Sequence, residues 1–239
     1  QDFFRFSGIY RDVYLYTVPD VHVYDMLVQA IPDETLESAP LDITLRMWGA
    51  GKVRFTLEKD GQTVMSDEKE VNDAAESSKF TWNIEKPVLW SAEDPQLYDL
   101  TIEVCDDKGE LQEVISQKIG FRRFEMKDGI MNLNGKRIVF KGVNRHEFSS
   151  VSGRCVSEDE LRKDLRTMKQ NNINAIRTCH YPDGSLIYEL CDEYGIYMID
   201  ETNLESHGSW DMYWQTKDKD YVVPDDKPEW LEMLIDRAN

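Results

Sequence analysis

The sequence predicts a chain of two parts, an immunoglobulin-like β-sandwich followed by an α/β unit built on a parallel sheet. Two observations carry this. Over residues 13–122 apolar and polar side chains alternate with a period of two, as in segments 41–48, 53–58 and 100–105. Further on, short apolar runs take turns with stripes of helical period in the order βαβαβα.

The first part is punctuated by hairpin chemistry. Asp60-Gly61 joins segment 53–57 to 63–65, and Asp107-Lys108-Gly109 joins the segment ending at Cys105 to 111–118. Several short strands at this spacing, within about a hundred residues, make a sandwich of the immunoglobulin type. Residues 124–139 form a further hairpin-like piece, turning at Asp128-Gly129 and Asn134-Gly135.

The first α/β strand is expected at 137–143. The helix after it opens with a capping box, Ser157 to Glu160, and places Leu161, Leu165 and Met168 on one face. Strand 175–178 follows, then a helix that buries Leu186, Ile187, Leu190 and Cys191 and ends at Gly195. Strand 196–199 and a third helix from Pro228, with Trp230, Leu231, Leu234 and Ile235, complete the series. Such alternation suits a doubly wound sheet or the first three units of a (β/α)8 barrel, and periodicity does not choose between them.

Composition narrows the function classes. With 28 basic and 46 acidic residues the net charge is −18, which repels nucleic-acid phosphates and anionic membrane surfaces, so neither is an expected partner. Cys105, Cys155, Cys179 and Cys191 show no paired spacing and are read as reduced thiols, in keeping with a cytoplasmic protein, although an exported parent stays open. No apolar run approaches the roughly 20 residues of a membrane span. Both ends look cut, Gln1 leading straight into the apolar run 3–6 and Asn239 falling inside the third helix, so the chain is expected to be an excerpt.

Each α/β strand ends in a polar cluster, where a parallel barrel carries its active site. The clusters are Asn144-Arg145-His146-Glu147, Arg177-Thr178-Cys179-His180-Tyr181 and the run from Asp200 to His207, and they hold three of the four histidines. The fourth, His22, is read as a surface residue of the sandwich. Trp48, Trp82 and Trp90 are read as sandwich core or domain packing, and Trp210 and Trp214 as residues of a polar loop rather than as sugar platforms.

The stretches 142–147, 168–177, 180–182 and 200–208 resemble the barrel opening of the large bacterial β-galactosidases, in glycoside hydrolase family 2. Residues 2–12 resemble the end of that family's sugar-binding jelly roll, and residues 87–98 resemble a strand region of its sandwich. The resemblance runs the length of the chain in the family's order. It implies a jelly-roll remnant at 1–12, the sandwich at 13–122 and the opening of a TIM barrel at 123–239. It also implies retaining hydrolysis of a terminal β-D-galactoside of the lactose type, in which one Glu protonates the leaving oxygen and another, about 5–5.5 Å away, forms a glycosyl intermediate.

In the family those carboxylates follow the fourth and seventh barrel strands, which this sequence does not contain. No catalytic Glu is therefore assigned, Glu147, Glu201 and Glu205 match supporting positions, and the chain alone is expected to be inactive. The resemblance implies that His146 and His180 bind sugar hydroxyls, that Arg177 lies near the acidic floor as pocket residue or ion-pair partner, and that Asp200, Glu201 and Asn203 belong to that floor. It implies Mg²⁺ at Glu205 and His207, and places Asp2 at the galactose end beside a Na⁺. Related β-glucuronidases and β-mannosidases share the domain order, and a noncatalytic carbohydrate-binding or assembly module is a reading from another class. The pair Glu205 and His207 favours the galactosidase branch. Three parallel strands cannot close a barrel, so the expected partners are the substrate, the remainder of the polypeptide and, compatibly with the sequence, a second copy.

Overall fold

A computed structural model describes residues 7–71, 77–221 and 227–238. The chain divides into two compact units, one of Val13–Val139 with Asp192–Gly195, the other of Gln1–Asp12, Phe140–Cys191 and Ile196–Asn239.

The first unit is the sandwich. Its strands are β1 (His22–Ala30), β2 (Ser38–Trp48), β3 (Gly51–Lys59), β4 (Gln62–Val71), β5 (Ser78–Glu85), β6 (Tyr98–Cys105) and β7 (Leu111–Ile119). They form one sheet in the order β1-β2-β5 and another in the order β4-β3-β6-β7, with every pairing antiparallel. Alternation along the strands decides what is buried: Leu41, Ile43 and Leu45 of β2 face Val53, Phe55 and Leu57 of β3 and Leu100, Ile102 and Val104 of β6 across one core. The Phe55 ring sits 5.1 Å from Phe80 and 4.8 Å from Trp82, centroid to centroid, and the Trp82 indole N–H reaches Asp67 Oδ2 at 2.8 Å. Trp90 is buried and Trp48 is largely exposed, so only Trp82 and Trp90 pack as expected. His22 is half-buried, its Nδ1 lying 2.8 Å from the Pro19 carbonyl.

This unit continues past residue 122. Strands β8 (Phe124–Lys127), β9 (Ile130–Leu133) and β10 (Lys136–Arg137) make an antiparallel meander whose turns, Asp128-Gly129 and Asn134-Gly135, have positive φ at both positions. Asn134 ties it to the sandwich by accepting from Arg123 N at 2.9 Å and donating to the Trp90 carbonyl at 3.0 Å.

The second unit opens with β11 (Gly142–Arg145), later than the expected 137–143. Ile138 N still bonds the Met131 carbonyl of the meander, so the apolar run there does not start the parallel sheet. Parallel pairing begins where Asn174 brackets Lys141, its Oδ1 accepting from Lys141 N at 2.7 Å and its N–H donating to the Lys141 carbonyl at 3.1 Å. Helix α1 (Glu158–Gln170) carries the complete capping box and buries Leu161 and Leu165. Strand β12 (Ala175–Thr178), helix α2 (Ser185–Tyr194) and strand β13 (Tyr197–Ile199) follow, and the sheet order is β11-β12-β13.

After β13 the sequence reading missed a helix. Residues expected to form a polar loop are α3 (His207–Thr216), which buries none of its side chains and so shows no apolar stripe. The helix expected from Pro228 is a 3-10 turn at Pro228–Trp230 continuing into α4 (Leu231–Ala238). Among the described residues no helix is long and apolar enough to cross a membrane.

Candidate glycone pocket at the strand ends

The register of the parallel sheet decides which side chains meet. Asn144 of β11 is paired with Arg177 of β12, and Arg177 with Ile199 of β13, so the residues after each strand collect at one end. There a cavity of about 580 Å³ is lined by Arg177, His180, Glu201, Glu205, His207 and Trp210, among others.

Arg177 organises the floor. Its Nε is ion-paired with Glu201, its Nη1 donates to Asn144 Oδ1 at 3.3 Å and its Nη2 lies 3.2 Å from His180 Nδ1. A guanidinium only donates, so His180 Nδ1 accepts and its Nε2 keeps the proton. That Nε2 is 3.8 Å from Glu205 Oε1, which lies 3.4 Å from His207 Nδ1. Arg177 is thus both the Glu201 partner and a wall of the cavity.

A second layer of bonds holds these groups. Thr178 Oγ1 donates to Asp200 Oδ1 at 3.0 Å and accepts from Glu201 N at 3.0 Å, while the Tyr188 hydroxyl donates to the same Asp200 oxygen at 2.8 Å. Burial and the Asp200 carboxylate together push the Tyr188 hydroxyl well above its ordinary value, which keeps it a donor. Asp200, which also lines the cavity, is thus held by two hydroxyl groups. The Asn203 carbonyl accepts from Arg237 Nη1 at 2.5 Å.

Glu147 is buried and accepts from Arg11 Nη2 at 2.8 Å and from Gly184 N at 2.7 Å. Arg145 is buried against Asp183 at 2.7 Å and Asp164 at 3.2 Å. Sequence reasoning assigned no role to Arg11, Asp183 or Tyr188; charged and aromatic residues in these positions carry no periodic signal, and only the tertiary pairing reveals them.

Of the residues singled out in the sequence, Arg177, His180, Asp200, Glu201, Glu205, His207 and Trp210 line the cavity together. His146 stands behind His180, ring centroids 5.6 Å apart and edge-on, with its Nδ1 3.4 Å from the Tyr181 hydroxyl. Asp2 lies outside the described residues. Glu205 and His207 were expected to project together from an extended segment; His207 is instead the first residue of α3, and the helix turn still brings its ring to Glu205. Trp210 lines the cavity from α3 with its ring centroid 5.4 Å from that of His207, whereas Trp214 does not line it and is exposed.

Residues 21–122 match the family model Glycosyl hydrolases family 2, and residues 124–239 match Glycosyl hydrolases family 2, TIM barrel domain. Among curated proteins the chain is 47% identical over 243 residues to a β-galactosidase of Halalkalibacterium halodurans and 49% identical over 243 residues to one of Streptococcus thermophilus. It is 42% identical over 240 residues to the β-galactosidase large subunit of Leuconostoc lactis. Each alignment covers 100% of this chain, and the chain spans 24%, 23% and 38% of the three proteins. Solved structures that it resembles include a β-glucuronidase of Parabacteroides merdae, with TM-score 0.71 and 28% identity over 76% of this chain and 24% of that one. A β-glucuronidase of Ruminococcus gnavus in complex with D-glucuronic acid gives TM-score 0.67 and 25% identity over 77% of this chain and 30% of that one.

Proposed function

The chain belongs to glycosyl hydrolase family 2, and on that premise we propose that it supplies the glycone-binding side of the pocket of a retaining β-galactosidase. One observation carries the reading. Arg177, His180, Glu205 and His207, which come from two separate strand ends, converge on a single cavity at the end of the parallel sheet where barrel enzymes act.

In this reading His180 offers Nε2–H to a sugar hydroxyl while Arg177 fixes its tautomer, and His146 orients it from behind. Such a bond accelerates hydrolysis if it tightens as the ring gains oxocarbenium character. The acid and the nucleophile come from the remainder of the polypeptide, and the polypeptide of these 239 residues alone is expected to be inactive.

Glu205 and His207 suit Mg²⁺, because a half-buried carboxylate and an imidazole 3.4 Å apart form part of the mixed shell that a hard ion completes with water and further oxygen ligands. When bound there, the ion would supply positive charge beside the carboxylates of the site. A Na⁺ at Asp2, a cytoplasmic setting and association of copies belong to the same proposal.

The likeness to β-glucuronidase structures favours a second reading, a uronide as substrate. The charge of the cavity argues against it. Its lining carries Asp200, Glu201 and Glu205, and its arginine is already committed to Glu201, so the described part of the site repels a sugar carboxylate and accepts a neutral pyranoside. The test is the full-length protein assayed on chromogenic β-galactoside, β-glucuronide and β-mannoside. The β-galactoside is expected to give the highest kcat/KM, and a higher value for the glucuronide or the mannoside overturns the reading.

A further inference from the structure

One nitrogen each of His146 and His180 and the sulfur of Cys179 all lie within 4.8 Å of one another. The trio is built by the sheet. Cys179 and His180 follow β12 directly, His146 follows β11, and the bond of Cys179 N to the Arg145 carbonyl at 3.1 Å clamps the two strand ends together. Cys179 is 2% exposed and both histidines are half-buried, so the three donors are largely withdrawn from bulk water.

Two imidazoles and a thiol are a borderline-soft donor set. It prefers Zn²⁺ and its neighbours in the first transition row to Mg²⁺ or Ca²⁺, which prefer oxygen. Zn–N distances of about 2.0–2.1 Å and a Zn–S distance of about 2.3 Å put the donors of a tetrahedral ion roughly 3.3–3.6 Å apart, so closing from at most 4.8 Å needs side-chain rotation and no change of fold. Acceptors for the outer ring nitrogens are at hand: Tyr181 OH lies 3.4 Å from His146 Nδ1 and Glu201 Oε2 lies 3.5 Å from His180 Nδ1.

We propose that His146, Cys179 and His180 form a binding site for one Zn²⁺-class ion, separate from the Glu205 and His207 pair. Coordination exchanges the Cys179 S–H bond for a sulfur–metal bond, the proton passing to solvent, and moves the His180 proton from Nε2 to Nδ1, where Glu201 Oε2 at 3.5 Å replaces Arg177 as its partner and leaves the Nε2 lone pair for the ion. Three protein ligands leave a fourth position open to water. Because one of these ligands, His180, is the histidine given to the sugar under the proposed function, ion and galactoside exclude each other; this corollary rests on that function, and the site itself does not.

The test uses Co²⁺ as a spectroscopic probe of the full chain in its reduced form. Thiolate coordination gives a near-ultraviolet charge-transfer band, expected to saturate at one equivalent and to vanish on adding one equivalent of Zn²⁺ but not excess Mg²⁺. Cys179→Ser is expected to abolish the band, His146→Gln to weaken Co²⁺ binding at least tenfold, and Cys155→Ser, at an exposed thiol, to change nothing. Circular dichroism confirms that each variant is folded, and if Cys179→Ser is not, the His146→Gln titration decides. The proposal is overturned if saturating Co²⁺ gives no band, if the band survives Cys179→Ser or follows Cys155, if Mg²⁺ displaces the ion, or if His146→Gln binds like wild type. Should the band behave as expected while galactose fails to compete with Co²⁺, the site stands and the assignment of His180 to sugar falls.

Discussion

Replacing Arg145 by Met removes the cation from a buried pair whose two side chains are 6% and 0% exposed. Burial pushes the Asp183 carboxyl from its ordinary 3.8 up to about 6; Glu147 adds to the rise and Arg145 opposes it. Its Oδ1 is buried without a hydrogen-bond partner, consistent with an oxygen that ionises reluctantly. At pH 7, above that value, Arg145 lets the buried carboxyl ionise in the folded chain, which relieves on the order of 1 kcal/mol of the cost of keeping it protonated there. Without Arg145 the carboxyl stays protonated and this contribution is lost. Broken hydrogen bonds and altered packing add to it, for a total of about 3–5 kcal/mol, the usual cost of breaking a buried pair. At pH 5 Asp183 is protonated in wild type and variant alike, so the loss shrinks by about 1 kcal/mol. The sign follows from the raised value: the stabilisation that Asp183 contributes is complete below its unfolded value near 4 and declines as pH rises to about 6. Amide exchange of peptides covering α1 and β12, measured for variant and wild type at each pH so that intrinsic rates cancel, reads the difference, with β2 and β3 peptides as internal controls. A loss under 1 kcal/mol at pH 7, or the same loss at both pH values, refutes the reasoning.

Ser157→Ala removes the side chain that accepts from Glu160 N and should cost about 1 kcal/mol, seen as faster exchange confined to α1; an unchanged α1 would show that packing of Leu161 and Leu165 alone holds the helix. In the full-length enzyme, His180→Ala is expected to lower kcat more than it raises KM, and a raised KM with unchanged kcat would reduce its role to uniform binding. Glu205→Gln should raise the Mg²⁺ concentration for half-maximal activity at least about tenfold, with partial recovery at high Mg²⁺. Identical Mg²⁺ curves for variant and wild type would remove Glu205 from the metal site.

The sequence disclosed most where a local rule coincides with burial. The Asp-Gly and Asn-Gly turns, the alternation of β2, β3 and β6 and the capping box of α1 are each settled by neighbours in the chain, and the structure keeps all of them. It disclosed least where the apolar signal is absent or shared. Helix α3 has no buried face to announce it, and the run Ile138-Val139-Phe140 is apolar enough for a strand although only the Asn174 bonds to Lys141 decide where parallel pairing starts. The candidate site divides in the same way. Arg177, His180, Glu205 and His207 were readable as motif residues, while Arg11 reaching Glu147 across 136 positions, and Tyr188 reaching Asp200, depend on tertiary approach. Nothing in a linear pattern encodes that.

The Asn134-Gly135 turn bears on how the molecule ages. An asparagine followed by glycine is the dipeptide most open to attack of the glycine nitrogen on the side-chain amide, a step that ends in aspartate or isoaspartate. Here the amide is held at both ends, Oδ1 by Arg123 N–H and Nδ2 by the Trp90 carbonyl, and must break both bonds before it can swing toward Gly135 N. The bonds that moor the meander thus also slow its chemical clock. Once deamidation occurs, a carboxylate oxygen would face the Trp90 carbonyl where an N–H donor now stands, and a contact of 3.0 Å would turn from attraction to repulsion. Loss of one amide on storage would therefore loosen the meander from the sandwich through a change of 1 Da.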